Sequence, residues 1–167
     1  MLFGEADTSA TDGLLESLST QRLAADPGAY SVYCNDGFTL AELVVEAVSG
    51  MDFMDYVDTY ILSPAGLEDT FAPGGDFDPD RLARTYASPQ DPRALPQDTL
   101  GIVGTGGIYA TAADLASFGG LLCGTELLSR ASLDAMTADW AARGLWPEDS
   151  ADDQLGYGLG WDNVHMF

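Results

Sequence analysis

The sequence predicts a mainly α chain with long irregular loops and little strand. Three observations carry this reading. Apolar residues recur at helical spacing in about five places, a stretch rich in proline, glycine and aspartate interrupts them between residues 72 and 105, and only one segment alternates as a strand does. With 167 residues and 46% hydrophobic content, the chain is long enough to form a single domain with its own core.

Taken in order, Leu14, Leu15 and Leu18 suggest a short helix near the start. Over residues 39–49, Leu40, Leu43, Val44, Ala47 and Val48 fall on one predicted inward face, with Glu42 and Glu46 on the other side and Gly50 as the stop. Asp52 can cap the next helix, in which Phe53, Tyr56, Val57, Tyr60 and Ile61 repeat the spacing until Ser63-Pro64 ends it. Residues 72–105, with PGGDFDPD and SPQDPRALPQD, read as an excursion across a surface. Thr111-Ala112-Ala113-Asp114 has the form of a capping box for a helix over about 111–122, with Leu115, Phe118 and Leu122 on one face. Ser129 can cap a further helix that turns Leu133, Met136 and Trp140 inward. Gly156 to Asn163 (GYGLGWDN) suits a strand whose partner the chain does not obviously supply.

Composition excludes several functions. The 27 acidic residues against 6 basic ones give a net charge of −21, which repels phosphate backbones, so no nucleic-acid partner is expected. Such acidity is also what adaptation to high salt produces. All six basic residues are arginines (Arg22, Arg81, Arg84, Arg93, Arg130, Arg143), so chemistry that needs a lysine amine cannot be done by this chain alone. Cys34 and Cys123 are too few for a disulfide scaffold and are expected to be free and mostly buried. The start, MLFGEADTSA, has no basic n-region, and no run of 18 apolar residues occurs, so a soluble chain without a targeting address of its own is expected.

Familiar catalytic motifs are also wanting. The lone histidine, His165, gives triads and zinc sites almost nothing to work with. Asp76-Phe77-Asp78-Pro79-Asp80 imitates the opening of a calcium loop, but Arg81 stands where glycine is needed and Ala87 where the closing glutamate belongs. Gly101, Gly104, Gly106 and Gly107 lack dinucleotide-binding spacing, and no Gly-Lys follows for a phosphate loop. Neither a metal nor another cofactor is expected. Cys34 has no neighbouring base to make it a thiolate, and a structural role suits it better.

What remains is an ordered set of segments. Pro27-Gly28 precedes Tyr33-Cys34-Asn35, a helix ending at Gly50, an acidic and aromatic helix, and Pro64-Ala65-Gly66-Leu67-Glu68-Asp69-Thr70. Gly106-Gly107-Ile108-Tyr109-Ala110-Thr111-Ala112-Ala113-Asp114-Leu115 and then GYGLGW follow. From about residue 12 to 163 this order resembles the serine β-lactamase-like family of class C β-lactamases, D-alanyl-D-alanine carboxypeptidases and related esterases. Each motif is weak by itself; four in the family's order are jointly specific.

The resemblance implies the helical domain of the β-lactamase/transpeptidase-like fold. It also implies acyl transfer through a serine acyl-enzyme on a β-lactam, a D-alanyl-D-alanine peptide or an ester. Tyr33 would be the base that takes the serine proton and returns it to the leaving group. Asn35 would meet the substrate carbonyl, with Cys34 turned away if the stretch is extended. Gly106 and Gly107 would line the substrate cleft.

Two departures qualify this. The family's Ser-x-x-Lys cannot occur in a chain without lysine, and the Lys-Thr-Gly or His-x-Gly motif belongs beyond the GYGLGW strand. The chain therefore reads as the central helical part of a larger serine hydrolase, inactive by itself and awaiting a flanking α/β domain. Members are often exported or associated with the cell envelope. In the larger protein the substrate would be a small molecule or a peptidoglycan-type peptide, and the excursion at 72–105 is the place to look for specificity. Cut from its partner, the domain would expose an apolar face, through which it could dimerise.

Blander readings stand beside these. Asn35 or Asp36 could merely cap a helix with Tyr33 packed in the core, Gly106-Gly107 could be only a turn, and Asp114 is expected to be structural. Tyr109, Trp146 and Trp161 suit packing better than substrate contact. The alternative for the whole chain is a non-catalytic binding or structural module derived from the same fold.

Overall fold

The computed structural model describes residues 10–23, 25–29, 33–91, 93–95, 103–124, 126–140 and 155–164. Among them are six α-helical segments, one π turn, one 3-10 turn and four short strands, so the chain is mainly α with irregular loops and little strand. It divides into two compact units, one of Met1–Thr20 and Asn35–Leu115, the other of Gln21–Cys34 and Ala116–Phe167.

In the first unit, α1 spans Ala10–Leu18 and α2 spans Asn35–Ser49, ending before Gly50 as expected but starting four residues earlier than the periodicity indicates. The covered side of α2 is only partly the expected one, for Leu40 and Leu43 are half-buried but the fully buried residues lie elsewhere. Thr39 and Glu42 are buried, at 3% and 4% exposure, while Val44 and Val48 stand out at 60% and 80%. The cause is local: Glu42 answers a backbone N–H and Glu46 another, so the polar edge of the helix has partners inside this unit.

Asp52 caps α3 (Phe53–Val57) by accepting from Met54 N at 2.9 Å, and Glu46 Oε1 accepts from Phe53 N at 3.0 Å. Pro64 does not end this helix. A π turn over Asp58–Leu62, in which Ser63 N–H reaches back five residues to Asp58 O, leads into a last turn, α4 (Ser63–Ala65), that carries the proline. A widened turn is a usual way to accommodate a residue that lacks a donor and crowds the preceding carbonyl. The stop is Gly66, whose left-handed φ of 68° a side chain would strain. It turns the chain so that Leu62 and Leu67 are both buried, at 6% and 4% exposure.

Strands β1 (Thr70–Phe71) and β2 (Tyr109–Ala110) pair antiparallel, with Thr70 opposite Ala110 and Phe71 opposite Tyr109. Between them the excursion is irregular where described. It holds a 3-10 turn at Pro79–Arg81, capped by Asp78, and an isolated bridge from Tyr86 to Ala94.

The capping box at Thr111 forms by half. Thr111 Oγ1 accepts from Asp114 N at 3.1 Å, and α5 spans Ala112–Cys123. Asp114 does not reciprocate, because its Oδ2 accepts from Asp69 N at 2.8 Å and from Thr70 Oγ1 at 2.9 Å. Thr111 N donates instead to Asp69 O at 3.2 Å. The structural role foreseen for Asp114 is thus a specific one: it pins β1 to the start of α5.

In the second unit Leu122, near the end of α5, is buried at 4% exposure. Leu115, the last residue of the first unit and on the face expected to point inward, is 64% exposed. Ser129 caps α6 (Arg130–Thr137) by accepting from Ser132 N at 3.1 Å, and Leu133 is buried. Trp140 is not the inward residue expected; it lies past the helix, 61% exposed, with Nε1 donating to Ala135 O at 2.8 Å. The GYGLGW segment supplies its own partner. Strand β3 (Leu155–Tyr157) turns at Gly158–Trp161 and pairs antiparallel with β4 (Asp162–Val164). Leu159 N donates to Met136 O at 2.7 Å and Trp140 N to Tyr157 O at 2.8 Å, which fastens the hairpin to the end of α6. Trp146 and His165 lie outside the described residues.

Candidate active site

The segment Tyr33-Cys34-Asn35 leads directly into α2. Tyr33 is 72% exposed, not packed in a core. Asn35 is the first residue of α2, and Cys34, like Tyr33, is exposed. Cys34 and Cys123 are both free thiols and both exposed, against the expectation of burial.

Two turns along α2, Glu42 reaches the glycine-rich loop. Its Oε2 accepts from Gly104 N at 2.6 Å. A Cβ at Gly104 would lie 2.8 Å from Glu42 Cβ and 2.9 Å from Phe38 O, so only glycine lets the loop come this close to the helix. Both obstructing atoms are fixed to the α2 backbone and cannot swing aside. Gly104→Ala is expected to cost about 1–3 kcal/mol as an overpacked site, read as a lowered urea midpoint with an unchanged slope; an unchanged midpoint would show that the loop does not sit against α2.

The Gly106 and Gly107 amides both donate to Val103 O, at 3.0 and 2.9 Å, and Gly106 has a φ of 123°. These N–H groups are engaged within their own turn, so what the two glycines can offer a ligand is a side-chain-free surface and their carbonyls. Next to them the buried Thr105 Oγ1 has no hydrogen-bond partner among the described residues. Sequence reasoning missed Glu42. Its helical position opposite the apolar residues marked it as solvent-facing, and only the distant Gly104 makes it otherwise.

A second cluster lies at β1. Arg81 Nη1 donates to Asp69 Oδ1 at 2.7 Å, and this bond, helped by the guanidinium charge and opposed by slight desolvation, holds the Asp69 carboxyl below its usual range. The same bond, with the field of Asp78 as a smaller contribution, raises Arg81. A depressed carboxylate stabilises the fold above its unfolded pKa and loses that contribution as pH falls through the folded value. The pair is exposed, so the effect is small and screened by salt. The stability difference between the protein and Arg81→Gln is therefore expected to shrink between about pH 5 and pH 2 and in about 1 M salt; a difference independent of pH would assign Arg81 a packing role instead. Among the described residues no three His, Cys, Asp or Glu side chains are grouped to hold a metal ion.

Short capped helices and a loop-rich excursion make a helical scaffold, and its fold is that of β-lactamase/transpeptidase-like proteins. The match to known proteins is specific. The family model described as Beta-lactamase matches residues 2–165, and the chain belongs to that family of hydrolases. The chain is 24% identical over 150 residues to a penicillin-binding protein of Bacillus subtilis, covering 81% of this chain and 32% of that one. It is 30% identical over 99 residues to the D-alanyl-D-alanine-carboxypeptidase/endopeptidase AmpH of Escherichia coli, covering 59% of this chain and 24% of the relative. Its fold matches the crystal structure of a D-stereospecific amidohydrolase from Streptomyces sp. with a TM-score of 0.75 at 28% identity, over 93% of this chain and 46% of that one. The chain thus spans about a third or less of the length of the curated relatives it matches.

Proposed function

We propose that this chain is the central helical part of a larger serine acyl-transfer hydrolase, and that Tyr33 and Asn35 are its share of the catalytic centre. The observation that carries the reading is the family match over residues 2–165 in a chain that keeps Tyr33-Cys34-Asn35 at the start of α2 and contains no lysine. A serine hydroxyl is a weak nucleophile until a base takes its proton. Tyr33 is exposed and could accept that proton and later return it to the leaving group. Asn35 would donate from its amide to the substrate carbonyl. Gly106 and Gly107 would line the cleft through backbone alone.

The names of the relatives support an amide or ester bond next to a D-configured residue as the one cleaved, with β-lactams as mimics that acylate the serine. Because the serine and lysine lie elsewhere, the chain alone is inactive in this reading. The stripe of α2 that carries Val44 and Val48 is consistent with a flanking domain that covers it in the larger protein. Incubation of the 167-residue chain with a fluorescent penicillin or a fluorophosphonate probe is expected to give no covalent adduct. A stoichiometric adduct would overturn the reading, as would a parent gene without an in-frame Ser-x-x-Lys upstream.

A further inference from the structure

The excursion after β1 turns back over the β1–β2 pair and encloses a groove of about 530 Å³ in the first unit. Phe71, Phe77 and Tyr109 form its apolar corner, the Phe77 ring lying 5.5 Å from Phe71 and 5.9 Å edge-on to Tyr109, measured between centroids. These rings come from β1, the excursion and β2, so the groove exists only when the excursion is folded back. Its volume falls within the usual range for a small-molecule site. Neither Asn35, Gly106 nor Gly107 lines it.

Asp69, Asp78 and Arg81 complete the lining. Arg81 is matched by Asp69, and Asp78 Oδ1 accepts from Asp80 N to cap the 3-10 turn. Two carboxylates against one guanidinium leave the groove one negative charge in excess, on a chain whose net charge is −21. An anionic ligand would meet both that local excess and the overall field. A cation would be drawn by the carboxylates and by the faces of the aromatic rings.

We infer that this groove binds an aromatic amine, the ring lodged among Phe71, Phe77 and Tyr109 and the ammonium held by the carboxylate of Asp78, the one that Arg81 leaves unmatched. The site needs neither Tyr33 nor a serine nucleophile, so it stands whether or not the proposed catalytic role does.

The test is a titration of the 15N-labelled full chain with phenethylamine, 3-phenylpropionate and phenethyl alcohol, followed by amide shifts. Phenethylamine is expected to move Phe71, Phe77, Tyr109, Ala110 and Thr111, with the carboxylate about fivefold to tenfold weaker and the alcohol in between. Asp78→Asn should bring the amine close to the alcohol in affinity, and Phe77→Ala should abolish the shifts. The three-ligand comparison on the unaltered chain keeps the inference testable if either variant fails to fold. Equal affinity for all three ligands, tighter binding of the carboxylate, or shifts confined to other residues would overturn it.

Discussion

Asp114→Ala is expected to lower the stability of the chain by about 2–4 kcal/mol, the sum of two hydrogen bonds to one charged acceptor at roughly 1.5–3 kcal/mol each, less what water recovers at a part-buried site. The loss reaches beyond the side chain itself. Asp69 N and Thr70 Oγ1 both donate to Asp114 Oδ2, so its removal leaves a backbone amide at the edge of β1 without its acceptor. The β1–β2 pair is only two residues long on each side, so each contact beside it counts toward its register. Asp114→Asn keeps one acceptor oxygen and should lose about half as much. Urea denaturation of the three proteins, read with amide exchange at Asp69, checks both the magnitude and its origin. A shift below about 0.5 kcal/mol for the alanine variant would place Asp114 among ordinary surface residues.

In the larger hydrolase proposed above, Tyr33→Phe is expected to lower kcat about 10²- to 10⁴-fold, the usual contribution of a positioned proton-transfer group. KM should change little, since the ring is kept and only the hydroxyl is lost. Stability should hardly change, because Tyr33 is 72% exposed. The comparison is made by steady-state hydrolysis of a D-amino-acid amide or ester and by the rate of penicillin acylation. Retention of more than about a tenth of the wild-type rate would remove Tyr33 from the proton path.

Much of the local structure was legible because it rests on short-range chemistry. The caps at Asp52 and Ser129 need only a side-chain oxygen beside a free amide, and the irregular excursion follows from prolines and glycines that cannot sustain a ladder. What was not legible depended on distant partners. The buried side of α2 is set by Gly104, sixty-two residues on, whose N–H needs an acceptor that the apolar pattern of the helix does not announce. The GYGLGW segment alternates as one strand would, yet its central residues make the turn of a hairpin. Pro64 was read by its usual rule, and a π turn set that rule aside. The aromatic groove draws on residues 71, 77 and 109, which no window of sequence brings together. At the candidate active site, the residue types could be picked out from their motifs, but the engagement of the Gly106 and Gly107 amides with Val103 could not.

The exposed valine stripe of α2 bears on colloidal behaviour. Near neutral pH every copy carries the same large negative charge, and like-charge repulsion keeps Val44 and Val48 of one molecule from those of the next. Toward the isoelectric point near 4.1 that barrier falls away while the valines stay where they are. The acidity of the chain then acts as a dispersant, and solubility is expected to fall as its charge is titrated.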